Sequence, residues 1–167
     1  MTNPWPGPRY EVRTTFRAPL DFVFRWCTDY TPTDARLSRE KYERRILRRS
    51  PREVVLEDLY DTAHGWIWIR RVVALRAPNH WHADSVGSDR ALSVDYRLSR
   101  LPGDRTQLII RARRRPYGIG TKNPSKASWE RRVAGNWVKF GRAMEEEFRK
   151  GVDSRIRRST SAGSHRP

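Results

Sequence analysis

The sequence of 167 residues contains a single cysteine and no long apolar run, and each scarcity excludes a class of protein. Cys27 has no second cysteine with which to form a disulfide inside the chain, so the fold must be stable without one. We interpret Cys27 as a small buried hydrophobe rather than a nucleophile, because no histidine and acidic partner is evident beside it. No stretch of eighteen apolar residues is present, and residues 1–8 lack the charged start and apolar stretch of a secretory signal. We therefore expect a cytoplasmic protein.

Acidic residues are also scarce, with 19 Asp and Glu against 35 Lys and Arg, and the formal net charge is +16. Such a charge is typical of proteins that bind nucleic acid or an anionic membrane surface. The arginines are spread over nearly every segment, however, as a compositional bias would spread them. A weak contact with nucleic acid or an anionic membrane through surface arginines therefore stays an alternative.

The length suits one domain with a hydrophobic core and is too short for two. We predict an N-terminal extension over residues 1–8, a folded domain over 9–150 and a disordered basic tail over 151–167. The tail is assigned from composition, because its residues are small, polar and basic and show no period.

Hydrophobic periodicity predicts one strand, two short helices and six further strands in the first 115 residues. Tyr10 to Phe16 alternate as in a half-buried strand, and Pro19 then opens a short helix. The segment PTDARLS, residues 32–38, suits a second short helix. Turn signals separate six strands, at about 42–49, 53–61, 65–77, 80–86, 91–101 and 106–115. Short connections favour antiparallel neighbours.

A long amphipathic helix is predicted after Asn123 and Pro124, which form an N-cap and first-position pair. Its apolar residues recur every three or four positions and form one stripe: Trp129, Val133, Trp137, Phe140, Met144 and Phe148. Gly135 and Gly141 weaken the helix intrinsically, so packing must stabilise it. Gly151 is expected to end it.

Two segments carry a family resemblance. FRAPLDFVFRWCTDY, residues 16–30, and WERRVAGNWVKFGRAMEEEF, residues 129–148, resemble the SRPBCC superfamily, whose helix-grip fold is shared by START lipid-binding domains, the major birch-pollen allergen and polyketide aromatase/cyclases. The resemblance covers residues 9–150 and implies an α+β fold. A curved antiparallel sheet of about seven strands would wrap around the long C-terminal helix, with two short helices after the first strand and a cavity for a hydrophobic molecule. The segment TPTDARLS, residues 31–38, departs from the family pattern.

The stretch GWIWIRRVVAL, residues 65–75, places an arginine on each face of one strand. Ile67, Ile69, Val73 and Leu75 form the more aliphatic phase, so we expect this phase, and Arg71 with it, to point inward. A buried guanidinium needs a carboxylate, carbonyls, water or an anionic ligand. Asp58 and Asn136 are candidate internal partners. The opposite phase, with Arg70, Trp66 and Trp68 inside, is the alternative.

The predicted ligand-binding residues lie on the inward strand phases and on the helix stripe. They are Asp58, Tyr60, Arg71, Trp81, Tyr96, Trp129, Val133, Asn136, Trp137, Phe140 and Met144. Arg71 would anchor the carboxylate or carbonyl end of an amphipathic ligand whose apolar body lies along Trp137 and Phe140. The same residues could instead form an ordinary packed core, with Arg71 in a structural ion pair with Asp58.

Three functions fit these patterns. The first is a carrier or sensor that binds a hydrophobic or amphipathic small molecule, such as a lipid, isoprenoid or polyketide, with no cofactor and no obligate protein partner. The second is a polyketide cyclase or aromatase in which Arg71 and Tyr96 or Tyr60 polarise a carbonyl and move a proton. No Glu or His falls clearly on the inward phase, which favours binding over catalysis. The third is non-specific nucleic-acid binding through the basic exterior.

Two weaker patterns are interpreted as structural. His80, His82 and Asp84 share a strand face, but no further ligand is evident, so no metal is predicted. The segment YGIG, residues 117–120, precedes a helix but lacks the remaining residues of a phosphate-binding loop, and we interpret it as a flexible entrance loop.

Overall fold

The computed structural model describes residues 8–37, 41–117 and 122–161, the last ten of them as helical backbone alone. The elements are β1 Arg9–Phe16, α1 Leu20–Thr28, a 3₁₀ helix Pro32–Leu37, β2 Lys41–Arg49, β3 Glu53–Thr62, β4 Gly65–Arg76, β5 His80–Gly87, β6 Arg90–Leu101, β7 Arg105–Pro116 and α2 Lys126–Ser161. This is the predicted α+β architecture, and the fold class is confirmed. None of the helices in the described part of the chain is both long and apolar enough to cross a bilayer.

The seven strands form one antiparallel sheet in the order β1-β7-β6-β5-β4-β3-β2. Strands β2 to β7 follow one another as hairpins, and β1 pairs with β7 at the other edge. The predicted turn between β6 and β7 is present, and Gly103 adopts a φ of 74° that favours glycine. These short connections explain why sequence neighbours are also neighbours in the sheet.

Alternation along the strands gives the sheet one buried face and one outer face. The buried face includes Leu56, Trp81, Leu108 and Ile110, each no more than 1 % exposed. Helix α2 covers part of this face, with the Trp129 ring stacked on Tyr10 at 4.6 Å between centroids. The apolar stripe of the helix is therefore the surface that packs on the sheet.

Gly141 brings α2 close to the first strand. A Cβ atom at this position would lie 3.0 Å from two ring carbons of Phe16, whereas a Cβ at Gly135 would meet nothing within 4 Å. The two glycines that weaken the helix in the sequence therefore have different structural roles.

The boundaries of the helices differ from those predicted. The second short helix predicted after Tyr30 is present and is a 3₁₀ helix, Pro32–Leu37. Helix α2 begins at Lys126 and continues through Gly151 to Ser161, so the predicted end at Gly151 is wrong. A glycine inside a helix costs only about 1 kcal/mol, which is too little to end a helix by itself. Residues 118–121, which include most of the predicted entrance loop, lie outside the described residues. Residues 162–167 also lie outside them.

Strand β4 resolves which arginine is inside. Ile69 and Val73 are buried, and the Arg71 side chain on the same face is 20 % exposed. Trp66, Trp68 and Arg70 point to the outer face, where Trp66 is 62 % exposed. The predicted phase of this strand is confirmed.

Candidate ligand-binding site

A cavity of about 610 Å³ opens between the inner face of the sheet, α1, the 3₁₀ helix and α2. Pockets of this size hold small organic molecules. The residues that line it are Trp26, Cys27, Asp29, Tyr30, Thr31, Thr33, Asp34, Arg36, Leu37, Tyr42, Arg44, Tyr60, Arg71, Trp81, Tyr96, Asn136, Trp137, Phe140, Ala143 and Glu147. The aliphatic core does not fill this end of the molecule.

Aromatic rings form much of the wall because inward positions of adjacent strands fall side by side. Trp81 and Tyr96 are directly opposite in the β5–β6 register, and their rings stack at 4.7 Å with an interplanar angle of 5°. Trp137 of α2 lies 6.2 Å from the Tyr96 ring and 5.5 Å from Phe140. Because these rigid rings pack against one another, they do not collapse into the cavity, and the space beside them stays open.

Seven of the eleven predicted residues line the cavity: Tyr60, Arg71, Trp81, Tyr96, Asn136, Trp137 and Phe140. Trp129, Val133 and Met144 do not, because the helix stripe is longer than the cavity and these side chains pack in or against the core. Asp58 is fully buried behind the wall. A hydrophobic period identifies the buried face of a helix, but not the part of that face that meets open space.

Asp58 is held mainly by an arginine that was not among the predicted residues. Arg44 of β2 donates from Nε to Asp58 Oδ1 at 2.7 Å and from Nη2 to Oδ2 at 3.0 Å. It also donates to Asp34 of the 3₁₀ helix and lies over the Tyr42 ring at 5.2 Å. Burial alone would lower the pKa of Arg44, but its hydrogen bond to Asp58 and the charge of that carboxylate outweigh this effect and raise it. Arg44 therefore ties the cavity wall to the 3₁₀ helix.

Arg71 lies beside this pair and is only partly satisfied by it. Its Nε donates to Ser85 Oγ at 3.1 Å, and its Nη1 is 3.7 Å from Asp58 Oδ2, beyond hydrogen-bond distance. Among the described residues, the contact with Ser85 is the one hydrogen bond of this guanidinium. Burial would lower the pKa of Arg71, but Tyr60 and Asp58 raise it, so the side chain is a cation facing the cavity.

The wall also contains groups that ionise only with difficulty. Burial raises the pKa of Tyr30, Tyr96 and Cys27, so all three stay protonated at neutral pH. Tyr30 has a φ of 44°, an uncommon value for a non-glycine residue, in the turn between α1 and the 3₁₀ helix. Its phenol faces the cavity as a neutral hydrogen-bonding group.

A carboxylate cluster borders the opening. Burial, together with the charges of Asp34 and Glu147, raises the pKa of Asp29 to about 6. Glu147 of α2 accepts a hydrogen bond from Trp26 Nε1 at 2.8 Å, and Arg49 donates to the backbone carbonyl of Tyr30 at 3.0 Å. Carboxyl groups other than the predicted Asp58 therefore reach the cavity, because Asp29 follows α1, Asp34 lies in the 3₁₀ helix and Glu147 lies in α2.

The pattern of His80, His82 and Asp84 lies on the outer face. His80 Nε2 is 2.6 Å from Asp95 Oδ1, and His82 Nε2 is 3.1 Å from Asp84 Oδ1. Within the described ranges, no three His, Cys, Asp or Glu side chains are grouped as metal ligands would be. These residues form hydrogen-bonded pairs on the sheet surface.

Neither a comparison with protein-family models nor one with curated proteins finds a match. Solved structures do match. The Zhui aromatase/cyclase from Streptomyces sp. R1128 is similar with a TM-score of 0.62 at 17 % identity, over 87 % of this chain and 95 % of that one. A START superfamily protein from Mycobacterium smegmatis has a TM-score of 0.63 at 13 % identity, over 86 % and 99 %. Ara h 8.0201 has a TM-score of 0.65 at 10 % identity, over 82 % and 97 %.

These similarities define the class of fold. A curved seven-stranded antiparallel sheet around a long C-terminal helix, with a cavity between them, is the helix-grip fold. The chain has this fold, as its two end segments predicted. At such low identity the likeness concerns the fold and not the ligand.

Proposed function

We propose that this protein is a carrier or sensor that binds an amphipathic small molecule, with an acidic or carbonyl head group at Arg71 and an apolar body between Trp26, Trp137 and Phe140. The observation that carries the proposal is the position of Arg71. It faces a cavity of about 610 Å³ while Arg44 already binds both oxygens of the nearest carboxylate, that of Asp58.

The cavity has a polar side and an apolar side, which supports a ligand with one polar and one apolar end. Arg71, Tyr60 and Tyr96 point inward from β4, β3 and β6 and place polar groups on the sheet side of the cavity. Trp137 and Phe140 lie on α2 and offer flat apolar surface. A charge-assisted hydrogen bond to a carboxylate is stronger than one to a neutral group, so the acidic form of a ligand should be preferred over its ester.

Native mass spectrometry of the purified chain, followed by organic extraction, tests the proposal. A co-purifying molecule released by solvent, with an acidic or carbonyl group and a long apolar part, is the expected result. If no ligand co-purifies, paired titrations with a long-chain fatty acid and its methyl ester, and with a naphthoic acid and its methyl ester, apply the same test. If the protein binds none of the four compounds, the proposed function is contradicted.

A polyketide cyclase or aromatase is the second candidate, and Asp29 is the observation that favours it. A carboxyl with a pKa of about 6 at the cavity is poised to exchange protons near neutral pH. In this function Arg71 would polarise a substrate carbonyl, while Asp29 or a tyrosine would move a proton. Turnover of a poly-β-keto chain by the purified protein, lost in Asp29→Asn and retained in Asp104→Asn on the distant β6–β7 turn, would establish it over the carrier.

A further inference from the structure

The outer face of the sheet carries a concentration of exposed apolar side chains. Of the seven large hydrophobic residues exposed in the described part of the chain, six lie on β2 to β5 and one, Val138, on α2. Five of the six point outward from three adjacent strands: Leu59, Trp66, Trp68, Val72 and Val86. We call these five the outer apolar patch. Single exposed hydrophobics are ordinary, but a contiguous group marks an interaction surface.

Strand register shows that the patch is continuous. Trp68 is directly opposite Leu59 on β3, and Val86 on β5 is directly opposite Arg70. Val86 is thereby the diagonal neighbour of both Trp68 and Val72. Three strands about 4.8 Å apart, and six residues of about 3.3 Å each along β4, give the patch backbone dimensions of roughly 10 Å by 20 Å. A specific interface of about 800 Å² per partner would have the patch as its centre and the surrounding charged residues as its rim.

The charges around the patch are paired within the chain. Arg70 donates to Glu57 at 2.6 Å and lies over the Trp68 ring at 5.6 Å. Asp84 is 3.1 Å from His82, and Arg48 pairs with Glu53. This region is therefore close to electroneutral, although the whole chain carries a formal charge of +16.

The other half of the outer face is strongly basic. Outward positions of β1, β7 and β6 carry seven arginines against two carboxylates: Arg9, Arg13, Arg97, Arg105, Arg111, Arg113 and Arg115 against Glu11 and Asp95. A hollow of about 300 Å³ also lies there, and its charged lining residues are Arg9, Arg111, Arg113, Lys126, Glu11 and Asp95. A polyanion such as nucleic acid or an anionic membrane would bind this half, which leaves the outer apolar patch unexplained.

We propose that two copies of this chain associate through the outer apolar patch about a two-fold axis. A two-fold interface brings the same surface of both copies together, so that surface has to be complementary to itself. The patch meets this condition because its apolar side chains lie around one internal ion pair, Arg70 with Glu57, and residues of both charge signs lie beside them. Two chains of charge +16 repel each other when most other surfaces meet. The repulsion is weakest when the two outer apolar patches meet, because the charges there are paired within each chain. The proposal does not depend on the ligand of the cavity.

Sedimentation equilibrium of the full chain over a wide range of protein concentrations, at low and at high NaCl, tests the proposal. We expect a reversible dimer whose dissociation constant falls as salt rises, because salt screens the repulsion between two basic chains and leaves the apolar contact. Binding to a polyanion has the opposite salt dependence. Val86→Glu and Trp66→Glu should each raise the dissociation constant at least about tenfold, because each buries a charge in the interface.

Val138→Glu is the matched control, since Val138 is 49 % exposed on α2 and lies outside the patch. Its dissociation constant should equal that of the unchanged chain, and thermal melts check that all three variants fold. The proposal is overturned if the protein is monomeric at every protein and salt concentration. It is also overturned if Val138→Glu weakens the dimer as much as Val86→Glu and Trp66→Glu do. If the monomer instead sediments with phosphatidylglycerol vesicles and Trp66→Glu abolishes that binding, the patch contacts a membrane and the dimer is wrong.

Discussion

The Nη1 atom of Arg71 lies 3.7 Å from Asp58 Oδ2, so two opposite charges share one interior without a hydrogen bond between them. Arg44 explains this separation, because it already donates to both oxygens of that carboxylate. The cluster contains two arginines, Arg44 and Arg71, and two carboxylates, Asp58 and Asp34, and Arg44 makes hydrogen bonds to both carboxylates. Arg71 keeps one hydrogen bond, to Ser85, and a longer ion pair with Asp58, so most of its N–H donors are not used by a carboxylate. The proposal of a ligand with an acidic or carbonyl end rests on these donors.

Arg71→Leu should weaken binding of an acidic ligand far more than binding of its methyl ester. Hydrogen bonds to charged groups contribute about 1.5–3 kcal/mol, so we expect the acid to lose roughly tenfold to a hundredfold in affinity. The ester should lose less than about threefold, because it keeps its apolar contacts. Isothermal titration calorimetry with the fatty acid and its ester measures both.

Arg70→Leu is the control for this experiment, since Arg70 is the adjacent arginine on the outer face and pairs there with Glu57. It should leave both affinities unchanged. Equal losses for acid and ester in Arg71→Leu would assign Arg71 a purely structural role.

Arg44→Leu should destabilise the fold strongly. The Arg44 side chain is 6 % exposed and that of Asp58 is 0 % exposed, so the substitution removes both short hydrogen bonds of a buried carboxylate and leaves it the longer contacts with Arg71 and Tyr60. Breaking one side of a buried pair costs about 3–5 kcal/mol of unfolding free energy. The surface pair of Arg70 and Glu57 provides the comparison, and Arg70→Leu should cost far less than Arg44→Leu because solvent screens that pair. Urea denaturation at neutral pH measures both, and similar small losses would show that Asp58 is satisfied without Arg44.

The elements best predicted from the sequence are those in which a short hydrophobic repeat determines which side chains are buried. The phase of β4 followed from counting aliphatic residues, because a period of two leaves only two choices for Arg71. The stripe of α2 and the turn at Gly103 were predicted for similar local reasons. The opening and closing segments carried enough of the family pattern to predict the fold.

The cavity itself could be predicted only in part, because its shape depends on which elements meet in three dimensions. Arg44 alternates in phase with Tyr42 and Ile46 in β2, so an inward arginine was detectable there by the argument used for Arg71. Its partners Asp58 and Asp34 come from two different elements, and only the packed structure brings them together. Asp29 could not be found from strand phases, since it follows α1.

Stability should depend on pH through Asp29. Its folded pKa of about 6 lies above the ordinary value of an aspartate, so the folded state holds this proton more tightly than the unfolded state does. The associated stability is complete below about pH 4 and is lost as the pH rises through 6. The carboxyl is partly in contact with water, so the loss should be about 1 kcal/mol or less.

Asp29→Asn should remove this part of the pH dependence. The variant should match or slightly exceed the unchanged chain in unfolding free energy at pH 8, and the difference should shrink below pH 5. Urea denaturation at several pH values tests it, with Asp104→Asn on the β6–β7 turn as the control. An unchanged slope between pH 4 and 7 in Asp29→Asn would show that other groups produce the dependence.

The two glycines of α2 should respond differently to alanine. At Gly135 a Cβ atom meets nothing within 4 Å, so Gly135→Ala should stabilise the fold by about 0.5–1 kcal/mol through helix propensity. At Gly141 the same gain is opposed by contact at 3.0 Å with the Phe16 ring. Overpacking in a core costs about 1–3 kcal/mol, so the alanine at 141 should be less stable than the one at 135 by at least about 1 kcal/mol. Thermal or urea unfolding of the two variants gives this difference directly. Equal stabilisation by both would mean that Phe16 moves aside at no cost, and that α2 does not need a glycine to pack against β1.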